Sequence, residues 1–595
     1  MKLKKHQVIL FAILLLALGL RMAHWLDVRN DPFFSQLIMD SQEYDRWARE
    51  IAAGDWIGRE VFFQAPLYPY LLALCYVIFG HSLDIIYLAQ ILFAIAAIYA
   101  LFRTGKKLGG ERLGLAASAL AAFYGIFIFY DIQILKESIA VSLVCFLLWA
   151  FVEARDREEA KLWLLAGVLG GLLSLLRENM LLVFPLLIIL VYKKGARKKK
   201  MLLNVSGLVL GMVLVLTPVA FRNWKVGGVF APTTFQGGVN FYIGNNPNAT
   251  GTYQSIVPGK QIPWYERNEP VRIAVQETGR RLDSAEVSQF WLNKSLKWAR
   301  NNPVDFARIQ IKKFLMFWSW YEWPDAVDYY YVRKTSSVLG FPLIQFGSIF
   351  LLAFIGIVLS REKILKFFPL ALFLFAWMIS TIVFFLFSRY RLPVLPSLLL
   401  FAAAGLSVGM EKWPSIKIWQ RAGILLLFAA ILTAPHLFSF KPRMDVVHYN
   451  LALIYDGQGK VEKAEENYLA ALSVNPDDFL SCVNLGNIAV RRNNWAEALE
   501  WYIKAVDIEP DSDGVHSNLG GAYVALGRLD RAEYHFDKSL HINPSNILAL
   551  HNKAIFLAKR GQFDEAKKLN QKVLERAPNW QPALNFKKRL SEFIK

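Results

Sequence analysis

Residues 8–20, VILFAILLLALGL, decide the fold class of this chain, because the run holds no charged or strongly polar side chain. Such a run is typical of a helix that crosses the ~30 Å hydrocarbon core of a bilayer. Bulky residues follow it instead of a small-residue cleavage site, which predicts an uncleaved anchor rather than a signal peptide. Similar runs recur as far as residue 440, and 55% of the chain is hydrophobic. The sequence therefore predicts an all-α, polytopic membrane domain over residues 1–440.

The apolar runs predict about eleven membrane spans. They cover residues 8–24, 84–103, 112–130, 138–154, 162–176, 179–193, 202–220, 337–359, 367–387, 392–410 and 422–440. A further run at 66–80 is predicted as an interfacial helix. The basic loops 103–112, 193–201, 361–366 and 411–421 then all lie in the cytoplasm, as positive loops prefer. If 66–80 spanned the membrane instead, these loops would lie outside.

This topology places the unusual polar residues on one side of the membrane. The loop with interfacial helices at 25–83, the large loop 221–336 and everything after 440 are predicted to be extracytoplasmic, in a multi-pass protein of the cell (inner) membrane. The formal net charge of +19 lies largely in short clusters between apolar runs. It indicates topology signals and contacts with membrane lipids rather than nucleic-acid binding. Three distant cysteines exclude a disulfide framework and a CxxC metal site.

The sequence after residue 440 is charged, alanine-rich and repetitive. Prolines recur every 34 residues at positions 476, 510, 544 and 578. Counted from them, small residues share one register (Ala464, Ala498, Ala532 and Ala566) and aromatic residues share another (Tyr468, Tyr502 and Phe536). This is the tetratricopeptide pattern, in which helix pairs stack into a solenoid. Residues 441–595 are therefore predicted to form four repeats and a terminal helix that bind a protein partner.

The segment DSQEYDRWAREIAAG begins with Asp40, directly after the first outer stretch. Tyr44, Trp47 and Ile51 recur at helical spacing, which predicts an amphipathic helix in the outer interface. Asp40 is then either the N-cap of this helix or a carboxylate oriented for chemistry. Glu43, one turn further along, is a possible substrate contact.

Other charged residues stand at the predicted outer face. Asp131 and Glu137 flank the loop of DIQILKES, and Arg177 lies between two short spans. The SRYR tetrad places Arg389 and Arg391 around Tyr390, against the topological preference for positive residues inside. A guanidinium pair in such a place suits a phosphate group, through charge-assisted hydrogen bonds. The alternative is that these arginines form structural ion pairs with the acidic residues.

The large outer loop begins with Arg222, a further possible substrate contact, and ends in a tryptophan- and tyrosine-rich stretch near residues 317–332. An interfacial aromatic belt is the default interpretation of that stretch. A stacking surface for a sugar or a polyprenyl chain is the alternative. The sequence holds no glycine-rich nucleotide loop, no HExxH and no GxSxG motif.

The order of motifs over residues 5–440 resembles the bacterial branch of the GT-C membrane glycosyltransferases, akin to protein O-mannosyltransferases and aminoarabinose transferases. The motifs are MDSQEYDRWAREIAAGDW, FFQAPLYPYLLALCYVIFG, DIQILKES, GLLSLLRENMLLVFP, TPVAFRNWKVGGVF and FSRYRLPVLPSLLLFAAAGL. The resemblance implies a polyprenyl-phosphate sugar donor and an extracytoplasmic active site. It implies that Asp40 is the general base and that Asp131 or Glu137 is the second acidic residue.

The resemblance also assigns Arg389, Tyr390 and Arg391 to the donor phosphate. Gln64 and Arg177 are further possible substrate contacts. Some relatives carry an acidic residue where this chain has Gln64, so metal binding there is in doubt. No cofactor is firmly expected, although a divalent metal ion is possible. The expected function is inverting transfer of a sugar to an acceptor hydroxyl on a protein, lipid or glycan. The alternatives are a lipid-linked glycan transporter and a membrane-anchored repeat scaffold.

Overall fold

The computed structural model describes residues 4–192, 197–257, 263–359, 364–412 and 442–593, with isolated residues between 417 and 429. These residues form two compact units. One comprises Met1–Ile256 and Ile262–Pro442, and the other comprises Val257–Gln261 and Arg443–Lys595. Nearly all of the described backbone is helical. Within it, the β-structure consists of one isolated bridge between Tyr124 and Ile344.

The first unit holds helices α1–α21. In chain order these are Lys5–Val28, Pro32–Ser35, Met39–Ala52, Leu67–Phe79, Leu83–Gly109, Glu111–Ala122, Gly125–Asp131, Glu137–Arg157, Ala160–Ser174, Met180–Leu187, Lys198–Gly227, Gly237–Gly244, Pro263–Thr278, Ser284–Asn301, Pro303–Phe317, Tyr329–Thr335, Ser337–Gly340, Phe346–Leu359, Ile364–Ile382, Ser388–Arg391 and Leu395–Lys412. Short 3₁₀ turns follow α10 and α20, at Ile188–Val191 and Leu392–Val394.

Among the described residues, six helical stretches are long and apolar enough to cross a membrane. They are Lys5–Val28, Leu83–Gly109, Glu137–Arg157, Lys198–Gly227, Leu365–Ile382 and Ser388–Ser407. Four shorter apolar helices accompany them, at Leu67–Phe79, Ala160–Ser174, Met180–Val191 and Phe346–Val358. A polytopic all-α fold is confirmed by these helices, whereas the number of eleven spans is not. The predicted last span, 422–440, lies almost wholly outside the described residues.

The predicted span 112–130 is broken in the structure. Helix α6 ends at Ala122 and α7 begins at Gly125. Residue 344 satisfies the backbone groups freed by the break, since Ile344 N donates to Phe123 O (3.1 Å) and Gly125 N donates to Ile344 O (3.2 Å). Broken helices are tolerated at membrane depth when neighbouring protein supplies such partners. A hydrophobicity pattern cannot reveal this break, because the compensating residue is remote in sequence.

Close helix packing in the first unit depends on glycine. Helices α9 and α11 approach so closely that a Cβ added at Gly167 would lie 2.0 Å from Leu208 O, and one at Gly211 would lie 2.2 Å from Leu164 O. Small residues at such crossings are typical of membrane helix pairs, where backbones meet directly. The 13-residue helix α4 packs on α3. At 1.5 Å per residue α4 is about 20 Å long, short of the ~30 Å core, which favours its interfacial interpretation.

The second unit holds the paired helices α22–α29 and a final helix α30. They are Met444–Gly457, Val461–Val474, Phe479–Arg491, Trp495–Ile508, Asp513–Ala525, Leu529–Ile542, Ile547–Lys559, Phe563–Arg576 and Gln581–Phe593. The register alanines at 464, 498, 532 and 566 are fully buried, and the register aromatics are at most 2% exposed. Each repeat proline stands two residues beyond the end of a second helix. The helical-repeat prediction is confirmed.

Candidate active site

Asp40 lies in the first turn of α3, and its carboxylate is bound from two sides. Gln64 Nε2 donates to Oδ1 (3.1 Å) and Arg389 Nη2 donates to Oδ2 (3.0 Å). The N-cap of α3 is Ile38, so Asp40 does not cap the helix. Burial acts to raise the pKa of Asp40, but the positive charges of Arg389 and Lys136 and the Gln64 hydrogen bond hold it below the usual value. The carboxylate is therefore ionised and well oriented.

Arg389 is the centre of the site. Besides Asp40, its guanidinium lies 3.0 Å from Asp325 Oδ2 and 3.8 Å from Glu137 Oε1. Its side chain is only 7% exposed. Ser388 N donates to Trp323 O (3.4 Å), which ties the arginine segment to the segment that carries Asp325. Three carboxylates from three distant segments thus meet on one buried cation.

A second arginine stands beside the first. Arg177 donates to the same oxygen of Glu137 that faces Arg389. The guanidinium carbons of Arg177 and Arg389 lie 4.7 Å and 5.4 Å from the centre of the Tyr390 ring. Cations over an aromatic ring are attracted by its quadrupole. Tyr390 therefore helps to keep two positive groups close together.

Asp131 and Glu137 have different surroundings. The Asp131 carboxylate accepts hydrogen bonds from Arg21 Nε (2.7 Å) and Ser138 Oγ (2.6 Å), and all three residues are buried. Its partners are thus fully internal. Glu137, by contrast, contacts both arginines of the Arg389 cluster, which we define as Asp40, Glu137, Arg177, Asp325 and Arg389. The structure favours Glu137 over Asp131 as the second acidic residue of the site.

Polar atoms without a partner concentrate around the Arg389 cluster. Within the described part of the chain, these buried atoms accept or donate no hydrogen bond: Gln64 Oε1, Glu137 Oε2, Arg177 Nε, Ser388 Oγ and Arg389 Nε. Lys136 is 8% exposed, and its side chain has no hydrogen bond or ion pair with a described residue. Burial lowers the pKa of Lys136, which Glu178 and Glu137 partly offset. Three of these atoms, Arg177 Nε, Ser388 Oγ and Arg389 Nε, are donors, and buried donors are most stable when an acceptor binds them.

Arg391 does not join the cluster. It donates to Phe317 O (3.2 Å) and Ser319 O (2.6 Å), and its guanidinium lies 2.7 Å from Glu322 Oε1. These partners lie outside the Arg389 cluster, and the role of Arg391 as a phosphate ligand stays a prediction. The two arginines of SRYR face different surroundings because they sit two residues apart on a helical turn, about 200° around its axis. Arg391 anchors the loop that leads to Asp325.

The remaining predicted contacts lie elsewhere. Arg222 donates to Glu60 O (2.6 Å) and covers the Phe62 ring (3.8 Å), so it fastens the loop before Gln64. Glu43 pairs with Arg46 on the exposed side of α3 (2.5 Å). The structure thus gives both residues partners outside the Arg389 cluster, and their substrate contacts remain predictions.

Three residues of the site were missed from the sequence. Asp325 stands in the aromatic stretch of the large loop, where a carboxylate among tryptophans was the available signal. Lys136 directly precedes Glu137 in DIQILKES. Glu266 has no distinctive pattern around it. Burial raises the pKa of Asp325 to about 6, an effect that Arg389 opposes and Asp40 reinforces.

Metal ligands do not group together in the described residues: no set of three His, Cys, Asp or Glu side chains is placed to hold an ion. The carboxylates of Asp40 and Asp325 are turned toward Arg389 instead. Metal dependence, left open by the sequence, gains no support from this ligand arrangement.

Parts of the chain are similar to known protein families. Residues 64–221 match the family model "Dolichyl-phosphate-mannose-protein mannosyltransferase". This part of the chain is therefore similar to that family. Residues 446–478, 486–527 and 523–590 match tetratricopeptide-repeat models. The mannosyltransferase match includes Gln64, Lys136, Glu137 and Arg177.

Curated relatives are similar over short stretches. Protein O-mannosyl-transferase TMTC3 of Homo sapiens is 30% identical over 118 residues, 20% of this chain and 13% of that protein. BBSome complex member BBS4 of Bos taurus is 29% identical over 136 residues, 22% of this chain and 26% of that protein. The chain thus covers about a quarter or less of these two relatives. With the mannosyltransferase match, the likeness to TMTC3 supports a membrane glycosyltransferase in broad terms.

Solved structures also match part of the chain. The first tetratricopeptide domain of Spaghetti (RPAP3), bound to an HSP90 peptide, is 26% identical, with a TM-score of 0.19 over 20% of this chain and 92% of that one. The type IV pilus biogenesis factor PilW is 27% identical, with a TM-score of 0.24 over 25% of this chain and 69% of that one. TM-scores this low support no statement about function.

Proposed function

We propose that this protein is an integral membrane glycosyltransferase of the GT-C type. It transfers a sugar from a polyprenyl-phosphate donor to an acceptor hydroxyl on the extracytoplasmic face, with inversion at the anomeric carbon. The observation that carries the proposal is Arg389, which is buried against Asp40 and Asp325 and lies beside a second buried arginine, Arg177. A base beside an anion site is what such a reaction requires.

The proposed reaction divides the work between two kinds of side chain. The acceptor oxygen attacks the anomeric carbon while the bond from that carbon to the phosphate oxygen breaks. The acceptor proton passes to the Asp40 carboxylate, which acts as general base. Arg389, Arg177 and Lys136 stabilise the charge that the departing polyprenyl phosphate gains. The sugar leaves the phosphate with its configuration inverted because displacement occurs from the opposite face.

The ion pair between Arg389 and Asp40 gives the reaction an order. While Arg389 binds Asp40, the pKa of this carboxyl is low and the carboxylate is a weak base. A donor phosphate competes for the same guanidinium and weakens the pair. The pKa of Asp40 then rises, because a nearby positive charge is shared with the phosphate. Donor binding thus activates the base before the acceptor reacts.

A groove next to the site suits a lipid-borne donor. It has a volume of 440 Å³ and lies along α15. Ile311, Leu315 and Met316 give it an apolar wall, and Arg308 and Lys312 add positive charge. The groove reaches Trp323, two residues before Asp325. An apolar wall with a basic edge complements a polyprenyl chain that ends in phosphate.

The tetratricopeptide repeats support a second, compatible role. Their continuous buried core makes a stable solenoid whose surface is free to bind a protein. We propose that the repeats dock a protein partner or the acceptor itself. Removal of residues 443–595 is then expected to raise the KM for a protein acceptor more than the KM for the donor. An equal rise in both KM values at normal protein level would contradict this role. It would favour a membrane activity that does not depend on the repeats.

The general-base role is tested with Asp40→Asn. Transfer per folded molecule is expected to fall at least about 10²-fold, the usual contribution of a positioned base. Glu50→Gln is the matched control, because Glu50 lies on the same helix and pairs with Arg46 on its exposed side. Full activity of Asp40→Asn in purified, folded protein would refute the assignment.

Orientation is tested with single cysteines at Asp55, Lys199, Asn293 and Asp530 in a cysteine-free background. We expect a membrane-impermeant thiol reagent to label intact cells at 55, 293 and 530 but not at 199. Labelling of 199 with protection of 55 would reverse the proposed topology. The four positions are chosen from exposed residues of described segments.

A further inference from the structure

The start of α13 is held against the segment that carries Gln64. Arg267 forms an ion pair with Glu60 and lies 5.8 Å from the centre of the Phe63 ring. Phe63 directly precedes Gln64, the hydrogen-bond donor to Asp40. The residue before Arg267 is Glu266, so this clamp fixes Glu266 at the rim of the site.

Tyr253 completes the same rim from the other side. Its hydroxyl donates to Glu266 Oε1 (2.5 Å), and its ring packs 5.4 Å from Phe385 and 6.2 Å from Phe387. The Phe387 ring in turn lies 5.5 Å from the guanidinium of Arg389. A chain of contacts thus runs from Asp40 through α13 and Tyr253 back to Arg389. The Glu266–Tyr253 pair is the part of this rim that carries polar atoms.

The charge of the carboxyl groups around Glu266 determines which ligands the Glu266–Tyr253 pair can bind. Burial raises the pKa of Glu266 to about 7, the Tyr253 hydrogen bond opposes the rise, and Asp40 and Asp325 add to it. A third carboxyl beside two others repels a phosphate, which is drawn to the arginines instead. A neutral hydroxyl has no such penalty and can donate to the carboxylate. Among the described residues, Tyr253 donates the hydrogen bond to the Glu266 side chain, and Oε1 accepts it. Oε2 can therefore accept a hydrogen bond from a ligand.

We propose that Glu266 and Tyr253 form the subsite that binds hydroxyl groups of the donor sugar. This inference rests on the proposed transferase function and adds a specificity role to it. The phosphate is held by the cations of the Arg389 cluster, and the sugar lies toward the Glu266–Tyr253 pair. Glu266 accepts hydrogen bonds from ring hydroxyls, and the Tyr253 ring provides an aromatic wall. Hydroxyl orientation at this point distinguishes one hexose from its epimer.

The test uses the full-length protein and two kinds of ligand. Polyprenyl-phosphate mannose and polyprenyl-phosphate glucose, epimers at one carbon, are compared as donors, and bare polyprenyl phosphate is measured as an inhibitor. For Glu266→Gln we expect kcat/KM with the preferred donor to fall about 10- to 100-fold, as for a lost hydrogen bond to a charged group. Preference between the epimers shrinks, while the inhibition constant of bare polyprenyl phosphate stays within twofold. Glu277→Gln, on the same helix, is the matched control because Glu277 pairs with surface Lys294.

Each outcome bears on a separate statement. If wild-type protein neither turns over these donors nor binds polyprenyl phosphate, the proposed function itself falls. If wild-type protein is active and Glu266→Gln keeps both its rate and its epimer preference, only the sugar subsite is refuted. A change in acceptor KM with unchanged donor selectivity also refutes it. Tyr253→Phe, which keeps the aromatic packing, provides a second variant and is expected to weaken epimer preference by a smaller factor.

Discussion

The Arg389 guanidinium lies 3.0 Å from the Asp40 carboxylate, although the two residues are 349 positions apart in the chain. The same guanidinium reaches Asp325 at 3.0 Å. One buried cation therefore balances two carboxylates and must also be available to a donor phosphate. This shared use of Arg389 connects stability, base strength and substrate binding, and it leads to the predictions that follow.

Arg389→Met is expected to abolish transfer and to destabilise the protein by about 3–5 kcal/mol, because it leaves buried carboxylates without their counter-ion. Thermal unfolding and turnover in detergent measure the two effects. In the double variant Asp40→Asn/Arg389→Met, part of the lost stability returns because one carboxylate has been neutralised, while activity does not return. If Arg389→Met and the double variant are equally stable, the expected recovery is absent and the proposed coupling of this pair is contradicted.

Arg391→Met separates the two arginines of SRYR. Its removal leaves Glu322 buried without a partner, so we expect a loss of stability of about 3–5 kcal/mol. Because Arg391 faces the loop 317–322, the affinity of folded protein for bare polyprenyl phosphate should stay near that of the wild type. Calorimetric or fluorescence titration of that ligand is the measurement. A loss of affinity as large as that of Arg389→Met would restore the phosphate role predicted from the sequence.

Glu137→Gln and Asp131→Asn distinguish the two candidate acidic residues. Glu137 contacts both arginines of the Arg389 cluster, so its variant is expected to lower kcat at least tenfold. Asp131 is paired with buried Arg21, so its variant is expected to lower the melting temperature and leave the activity of the folded fraction largely intact. Active-site titration of the folded protein separates the effects. The reverse assignment follows if Asp131→Asn is stable but inactive.

Stability is expected to fall as pH rises from about 4.5 through 7. The pKa of Glu266 moves from 4.5 to about 7 on folding, so between these values the folded protein binds more protons than the unfolded chain. The free energy of unfolding then decreases with rising pH. Asp325, with its pKa raised to about 6, contributes with the same sign. Melting temperatures over this pH range should vary less in Glu266→Gln and Asp325→Asn than in wild type; an unchanged slope would refute the raised values.

Gly520→Ala tests the packing of the repeats. A Cβ at Gly520 would lie 2.5 Å from Phe536 Cε1 in the paired helix, so the substitution is expected to cost about 1–3 kcal/mol through overpacking. Gly521→Ala is the matched control, since no heavy atom lies within 4 Å of its added Cβ and alanine favours a helix. Hydrogen exchange of α26 and α27 in the full-length protein reports the difference. Equal protection in both variants would contradict the close contact.

The helical character of the chain and its repeat array follow from local sequence patterns. Long apolar runs determine membrane helices because unpaired backbone groups are too costly in lipid, and a 34-residue period determines the solenoid because each pair of helices must bury the same face. The sequence also led to Asp40, Glu137 and Arg389, through charges that stand at apolar boundaries.

The pairing of the charged side chains follows only from the tertiary structure. Asp131 and Glu137 are equivalent in sequence, yet one meets buried Arg21 and the other meets Arg177. Arg391 looks like Arg389 but faces a different loop. Asp325 and Glu266 belong to the large loop, and their positions near Asp40 depend on how that loop folds. Ion pairs depend on separations of a few ångströms between remote segments, and a pattern read along one chain does not contain those distances.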